Sequence, residues 1–136
     1  MAVEINYLAV LVAAVASMVI GGLWYSVLFG KQWMKLMGFK AEDMSKMKTT
    51  AKQSYAIGFL SSLVMSYVLA HFVDYTGSMT VVAGLQLGFW VWLGFTATLQ
   101  LGSVLWEGKS WRLFFLNTAH SLVSLLAMAV ILAVWP

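Results

Sequence analysis

The chain contains no cysteine, which excludes disulfides, thiolate metal sites and cysteine nucleophiles and leaves the redox compartment open. Charge is scarce too: only 10% of the 136 residues are Asp, Glu, Lys or Arg, against about 25% in an average soluble domain. Phosphate-binding loops, metalloprotease signatures and nucleophile motifs are all missing, so no enzyme activity and no cofactor are expected. The first apolar run lacks the basic start of a secretory signal, its one early charge being Glu4. Its length and charge predict a retained helix rather than a cleaved leader.

What is abundant is apolar surface, at 62% of the residues. A water-soluble domain this small buries only part of its surface, so such a composition in water would expose large patches and aggregate. Lipid removes that problem. Four stretches reach the roughly 20 apolar residues that a span requires, at residues 6–28, 55–75, 81–105 and 113–135. Thr76-Gly77-Ser78 and Glu107-Gly108-Lys109-Ser110 are short enough to close helical hairpins. The expected fold is all-α, a single transmembrane domain over residues 1–136 built as a four-helix bundle.

The formal charge is +3, but the cations sit beside apolar spans, where they act as topology determinants and partners for anionic lipid, not as a nucleic-acid surface. The loop over residues 30–54 holds Lys31, Lys35, Lys40, Lys46, Lys48 and Lys52, and the third connection holds Lys109 and Arg112. With four spans these connections share one side, so all eight positive charges share one face, which the positive-inside rule makes cytoplasmic. Both termini then lie outside, with Glu4 and Asp74. Trp24, Tyr25, Trp33, Tyr55, Trp106 and Trp111 mark the inner boundary and Tyr7, Tyr75 and Trp135 the outer one. Trp90 and Trp92 fall inside the third span and read as packing residues.

Lys31, Trp33, Lys35, Lys109, Trp111 and Arg112 are the expected lipid-interface residues. Within the loop, Trp33, Met34, Leu36, Met37 and Phe39 interleave with Lys31, Lys35 and Lys40, the composition of a segment lying among headgroups or of a partner-binding surface. Glu42 and Asp43 open a further expected helix whose later positions carry Lys46, Lys48 and Lys52, in keeping with the helix dipole.

Two stretches repeat. Ser26-Val27-Leu28-Phe29-Gly30-Lys31-Gln32-Trp33 parallels Ser103-Val104-Leu105-Trp106, then Gly108-Lys109-Ser110-Trp111 after Glu107, and Lys35-Leu36 matches Arg112-Leu113. Ser62-Leu63-Val64 extends the pattern to Ser121-Leu122-Val123. Duplication would give two tandem hairpins related by an axis along the membrane normal; the alternative is that helix exits reuse Gly, Lys and Trp.

The residues 6–14, Gly22-Leu23-Trp24-Tyr25-Ser26, the stretch 28–34, Trp92-Leu93-Gly94-Phe95 and the stretch 116–126 together resemble the uncharacterised bacterial membrane family known as domain of unknown function 1761. The resemblance covers nearly the whole chain. It implies a small four-span protein of a bacterial inner membrane and brings no catalytic residues. The chain departs from the family pattern at Val27, where proline is expected after Ser26.

Small residues recur at helical spacing and predict close helix contacts. The packing residues expected on this basis are Ala13, Ser17 and Gly21 in the first span, and Ser54, Gly58, Ser62 and Ser66 in the second. In the third they are Gly84, Gly88, Gly94, Thr98 and Gly102. At about 100° per residue, Gln86, Thr96, Gln100, Ser103 and Glu107 share one arc of the third span, and Asn117, His120, Ser121 and Ser124 line one side of the fourth. These polar stripes make a candidate polar path. His120 lies about 12 Å into its span, where an ionisable group is costly and often functional, or else donates to backbone or to Gln100. His71 and Asp74 share a helix face but supply only two ligands, too few for a metal site.

Two functions follow. One is passage of a small solute or ion along the polar stripes, which four helices accomplish only as a homo-oligomer. The other is a structural or regulatory membrane protein that binds anionic lipid or a membrane partner through the basic loop. An intramembrane enzyme using His120 and Glu107 is the weakest reading.

Overall fold

A computed structural model describes residues 3–38 and 51–136 of the chain. The loop expectations placed on Phe39, Lys40, Glu42, Asp43, Lys46 and Lys48 lie outside the described residues.

The first span, α1, covers Tyr7–Leu28, starting as an α-helix and ending in a π-helical stretch over Trp24–Leu28. Asn6 caps it, its side-chain oxygen accepting from the Ala9 N–H at 3.1 Å. The Asn6 amide also donates to the carbonyls of Trp135 and Pro136, each at 3.3 Å, so the two ends of the chain meet on one side. The short helix α2, Gly30–Met37, ends at Gly38, whose φ of 74° is a left-handed cap open to glycine. The second span, α3, is Ala51–Thr76.

The third span, α4, is Val81–Leu105, interrupted by a second π-helical stretch at Trp92–Ala97. The fourth, α5, is Trp111–Val134. Thr80 and Ser110 cap α4 and α5, accepting from the N–H groups of Ala83 and Leu113 at 3.1 Å. Four of these helices are long and apolar enough to cross a membrane. The chain is an all-helical, multi-pass membrane protein.

α5 is the hub, packing against α1, α3 and α4, while α1 also packs against α3. α3 and α4 make no extensive contact, so α4 is held to the bundle through α5. Under the tandem-repeat relation the α1–α5 contact should be matched by one between α4 and α3. It is not, and the repeat is not visible in the packing.

Lipid tails are as apolar as leucine, so close approach and interhelical hydrogen bonds, not burial from water, hold the spans together. Gly84 and Gly88 supply that approach for α4. A Cβ on Gly88 would stand 3.0 Å from the Leu125 carbonyl oxygen and 3.2 Å from the Leu126 Cα; one on Gly84 would stand 3.0 Å from the Ala129 oxygen. On the other side of α5, Ala9, Ala13 and Ala14 are wholly buried with Met128, Ala129 and Ala133. The buried Ser66 of α3 donates to the Val10 carbonyl of α1 at 2.9 Å. Outward faces are apolar, as at Val27 (76% exposed) and Phe95 (71%), surfaces that only lipid or another protein accommodates.

The termini end of the bundle carries Glu4 and Asp74, which share a small cavity of about 40 Å³ with Asn6 and Trp135. At the opposite end lie Lys31 and Lys35 on α2, Lys52 at the start of α3, and Lys109 and Arg112 beside the α4–α5 turn.

Candidate functional site

The polar residues of α4 and α5 converge at the basic end. A cavity of about 430 Å³ is lined by Gln100, Ser103, Glu107 and Asn117, with Leu99, Gly102, Trp106 and Phe114 completing its walls. Gln100 donates to the Ser121 hydroxyl at 3.3 Å, and Ser121 donates to the Asn117 carbonyl at 3.1 Å. From α1, the Tyr25 hydroxyl donates to the Asn117 side-chain oxygen at 2.8 Å. Asn117 therefore joins the cavity to a hydrogen-bonded chain reaching α1.

His120 stands directly behind this chain. Its ring packs on Tyr25 with centroids 4.9 Å apart and on Trp24 at 6.1 Å. Gly21 leaves the room for it, since a Cβ there would lie 3.3 Å from His120 Nε2. Among the described residues, Nε2 is buried without a hydrogen-bond partner, as is the Gln100 Oε1 atom. Two unpartnered polar atoms inside one membrane bundle are costly, because no lipid group can satisfy them. They are the positions at which a polar ligand or water would gain most.

Two tryptophans brace α5. Trp24, which opens the first π-helical stretch, donates its indole N–H to the Leu116 carbonyl at 3.2 Å; Trp92, which opens the second, donates to the Thr118 carbonyl at 2.8 Å. π-Turns inside α-helices often sit at functional positions, and these two flank the polar segment of α5. Sequence reasoning gave Trp24 and Tyr25 to the inner interface and Trp92 to packing. Their polar tips inside apolar runs were the available sign of a hydrogen-bonding role.

The structure divides the remaining expected residues. Gln86 is exposed on the N-terminal half of α4, and Thr96 lies within the second π stretch; neither lines the cavity. Ser124 is buried and shares a 2.7 Å hydrogen bond with Ser17 of α1, an interhelical clasp rather than part of the cavity. Gly21 faces His120, Gly58 faces the Met18 side chain, and Ser62 is half-buried. Ser54 is exposed at the start of α3.

Gly94, Thr98 and Gly102 depart from the expected packing stripe. A Cβ on Gly94 would meet nothing within 4 Å, one on Gly102 would touch only the Trp106 ring, and Thr98 is exposed with its hydroxyl on the Gly94 carbonyl at 2.8 Å. Trp33 packs edge-on against Tyr25 at 5.6 Å. Trp111 is exposed against Phe114 and Phe115.

His120 does not line the cavity that holds Glu107, so the two do not form a joint centre. His71 uses Nδ1 on the Tyr67 carbonyl at 2.9 Å and lies between the Tyr67 and Tyr75 rings. Among the described residues no three metal-ligating side chains come together.

A family model described as "Protein of unknown function (DUF1761)" matches residues 8–133. Neither a curated protein nor a solved structure matches the chain.

Proposed function

We propose, for a chain that belongs to the DUF1761 family of proteins of unknown function, that it takes a small polar solute or ion into the α4–α5 cavity from the basic side of the membrane. The observation that carries this reading is the convergence of Gln100, Ser103, Glu107 and Asn117 on one cavity at the mouth of an otherwise apolar bundle. Polar groups are expensive in lipid and are retained where they meet one another, water or a ligand. Here two of the nearby polar atoms, Gln100 Oε1 and His120 Nε2, meet no hydrogen-bonding group among the described residues.

The basic end is assigned to the cytoplasm by the positive-inside rule, in a bacterial inner membrane. A single copy offers a vestibule and not a full path. Beyond the Asn117–Tyr25 pair the route is closed by the Ser17–Ser124 clasp and by the buried Ala13, Met128 and Ala129. Onward passage would need a second copy of the chain or a shift of α4, which is anchored to the bundle through α5.

The native chain has no cysteine, so single cysteines report on water directly. Gln100→Cys, Ser103→Cys and Asn117→Cys should react with a water-soluble thiol reagent in membranes, at rates at least about tenfold above Gln86→Cys and Ser124→Cys. Protection at all three cavity positions would sink the proposal. Fast reaction at Ser124 would instead mean that the path runs through the clasp.

A further inference from the structure

A further cavity, of about 560 Å³, lies between α2 and the start of α5, separate from the polar one. Its lining is graded. Lys35, Gln32 and Arg112 stand at the membrane-surface end, and Trp24, Phe29, Leu36, Phe115, Leu116 and Ala119 form the rest. Arg112 and Ala119 are seven residues apart on α5, so the cavity descends about 10 Å from a cationic rim to an apolar floor. Gln32, Lys35 and Leu36 are spaced i, i+3, i+4 on α2 and therefore share the face turned to this cavity.

The charge at the rim is not matched from within the described chain. Glu107 lines the polar cavity, and Glu4 and Asp74 lie at the opposite end of the bundle. A rim of Lys35 and Arg112 is complementary to an anion. A free inorganic anion would occupy the rim and leave the apolar floor empty, whereas an amphiphile fills both. The Trp24 and Phe29 rings, 4.7 Å apart, belong to the apolar part of the lining beneath the cationic rim. Lys31 and Lys109 are exposed at the same end of the protein but do not line the cavity, which provides an internal comparison.

We infer that the α2–α5 cavity binds one anionic phospholipid, its phosphate held between Lys35 and Arg112 and one acyl chain laid along Phe115, Leu116 and Ala119. The inference is independent of the solute reading, which rests on a different cavity. A site of this kind would couple α2 to the bundle and make the protein's behaviour depend on the lipid composition of the inner leaflet.

The full chain, purified in a neutral detergent, would be titrated with a fluorescent short-chain phosphatidylglycerol and with the matching phosphatidylcholine. Binding should favour phosphatidylglycerol. Two rim charges at the surface should account for about a 30-fold loss in affinity in the double variant Lys35→Gln/Arg112→Gln. The control Lys31→Gln/Lys109→Gln should change it by less than about threefold. Ala119→Phe, which keeps every charge, should weaken binding through the floor, and it covers the case in which the rim variant fails to fold. Millimolar inorganic phosphate should not displace the lipid. Equal losses from the rim and control pairs would mean diffuse attraction and overturn the inference. Displacement by phosphate, or indifference to Ala119→Phe, would overturn it as well.

Discussion

Gly88→Leu is expected to force α4 away from α5 and to lower the stability of the folded bundle by about 3 kcal/mol. The reason is that a side chain at Gly88 meets backbone, the Leu125 carbonyl at 3.0 Å and the Leu126 Cα at 3.2 Å, and backbone cannot swing aside as a flexible side chain can. α4 has no other extensive partner, so nothing compensates for the loss. Gly94→Leu is the matched control. Its added atoms enter open space, and its stability should stay within about 0.5 kcal/mol of the parent. Unfolding in mixed detergent, followed by helical signal and tryptophan fluorescence, measures both. Equal loss in the two variants would contradict the assignment of the α4–α5 contact.

Trp24→Ala should be the second severe change, at about 3 kcal/mol, since it deletes a large ring packed on Phe29 and His120. Trp24→Phe keeps a ring and removes only the indole donor to the Leu116 carbonyl. That bond should be worth about 1 kcal/mol, the scale of interhelical hydrogen bonds in membranes. Trp106 is 85% exposed and Trp90 64%. Their Phe variants should be nearly silent in the same unfolding measurement. A ranking in which Trp106→Phe costs as much as Trp24→Phe would mean that the residues act as interface anchors rather than as braces on α5.

The spans were readable because twenty apolar residues in a row leave few alternatives, and the third was placed at Val81–Leu105 from both sequence and structure. The second is longer than its apolar core. Residues 51–54 belong to α3 although they are largely polar, because a helix can continue past the hydrocarbon with its polar side chains in the headgroup region. Conversely, Asn6 stands outside α1 as its cap. Apolar length measures the bilayer, whereas caps measure the helix.

The polar site was half legible. Gln100, Ser103 and Asn117 were singled out and do share a cavity, yet Gln86 from the same helical arc does not join them. One cause is distance, since Gln86 precedes Gln100 by fourteen residues, about 21 Å of helix; the other is the π-helical stretch at Trp92–Ala97. Counting at 100° per residue assumes unbroken i→i+4 bonding, and a wider turn rotates everything beyond it relative to what came before. Gln86 lies before the stretch and Gln100, Ser103 and Glu107 after it. The same rotation separates Gly84 and Gly88, which touch α5, from Gly94, Thr98 and Gly102, which do not. No residue in Trp92-Leu93-Gly94-Phe95-Thr96-Ala97 announces the change of pitch. Tyr25 was missed for a related reason: it sits in the other π stretch, near a boundary where tyrosine is ordinarily an anchor.

The central claim is that the α4–α5 cavity is wet and opens at the basic end of the bundle. It is tested most directly by labelling Ser103→Cys with a membrane-impermeant maleimide, added separately to each side of sealed vesicles. Lys109→Cys marks the basic side and Glu4→Cys the side of the termini. The account predicts that Ser103→Cys reacts from the side that labels Lys109→Cys and from that side alone. Labelling from the side that reaches Glu4→Cys, or from neither side, would contradict it.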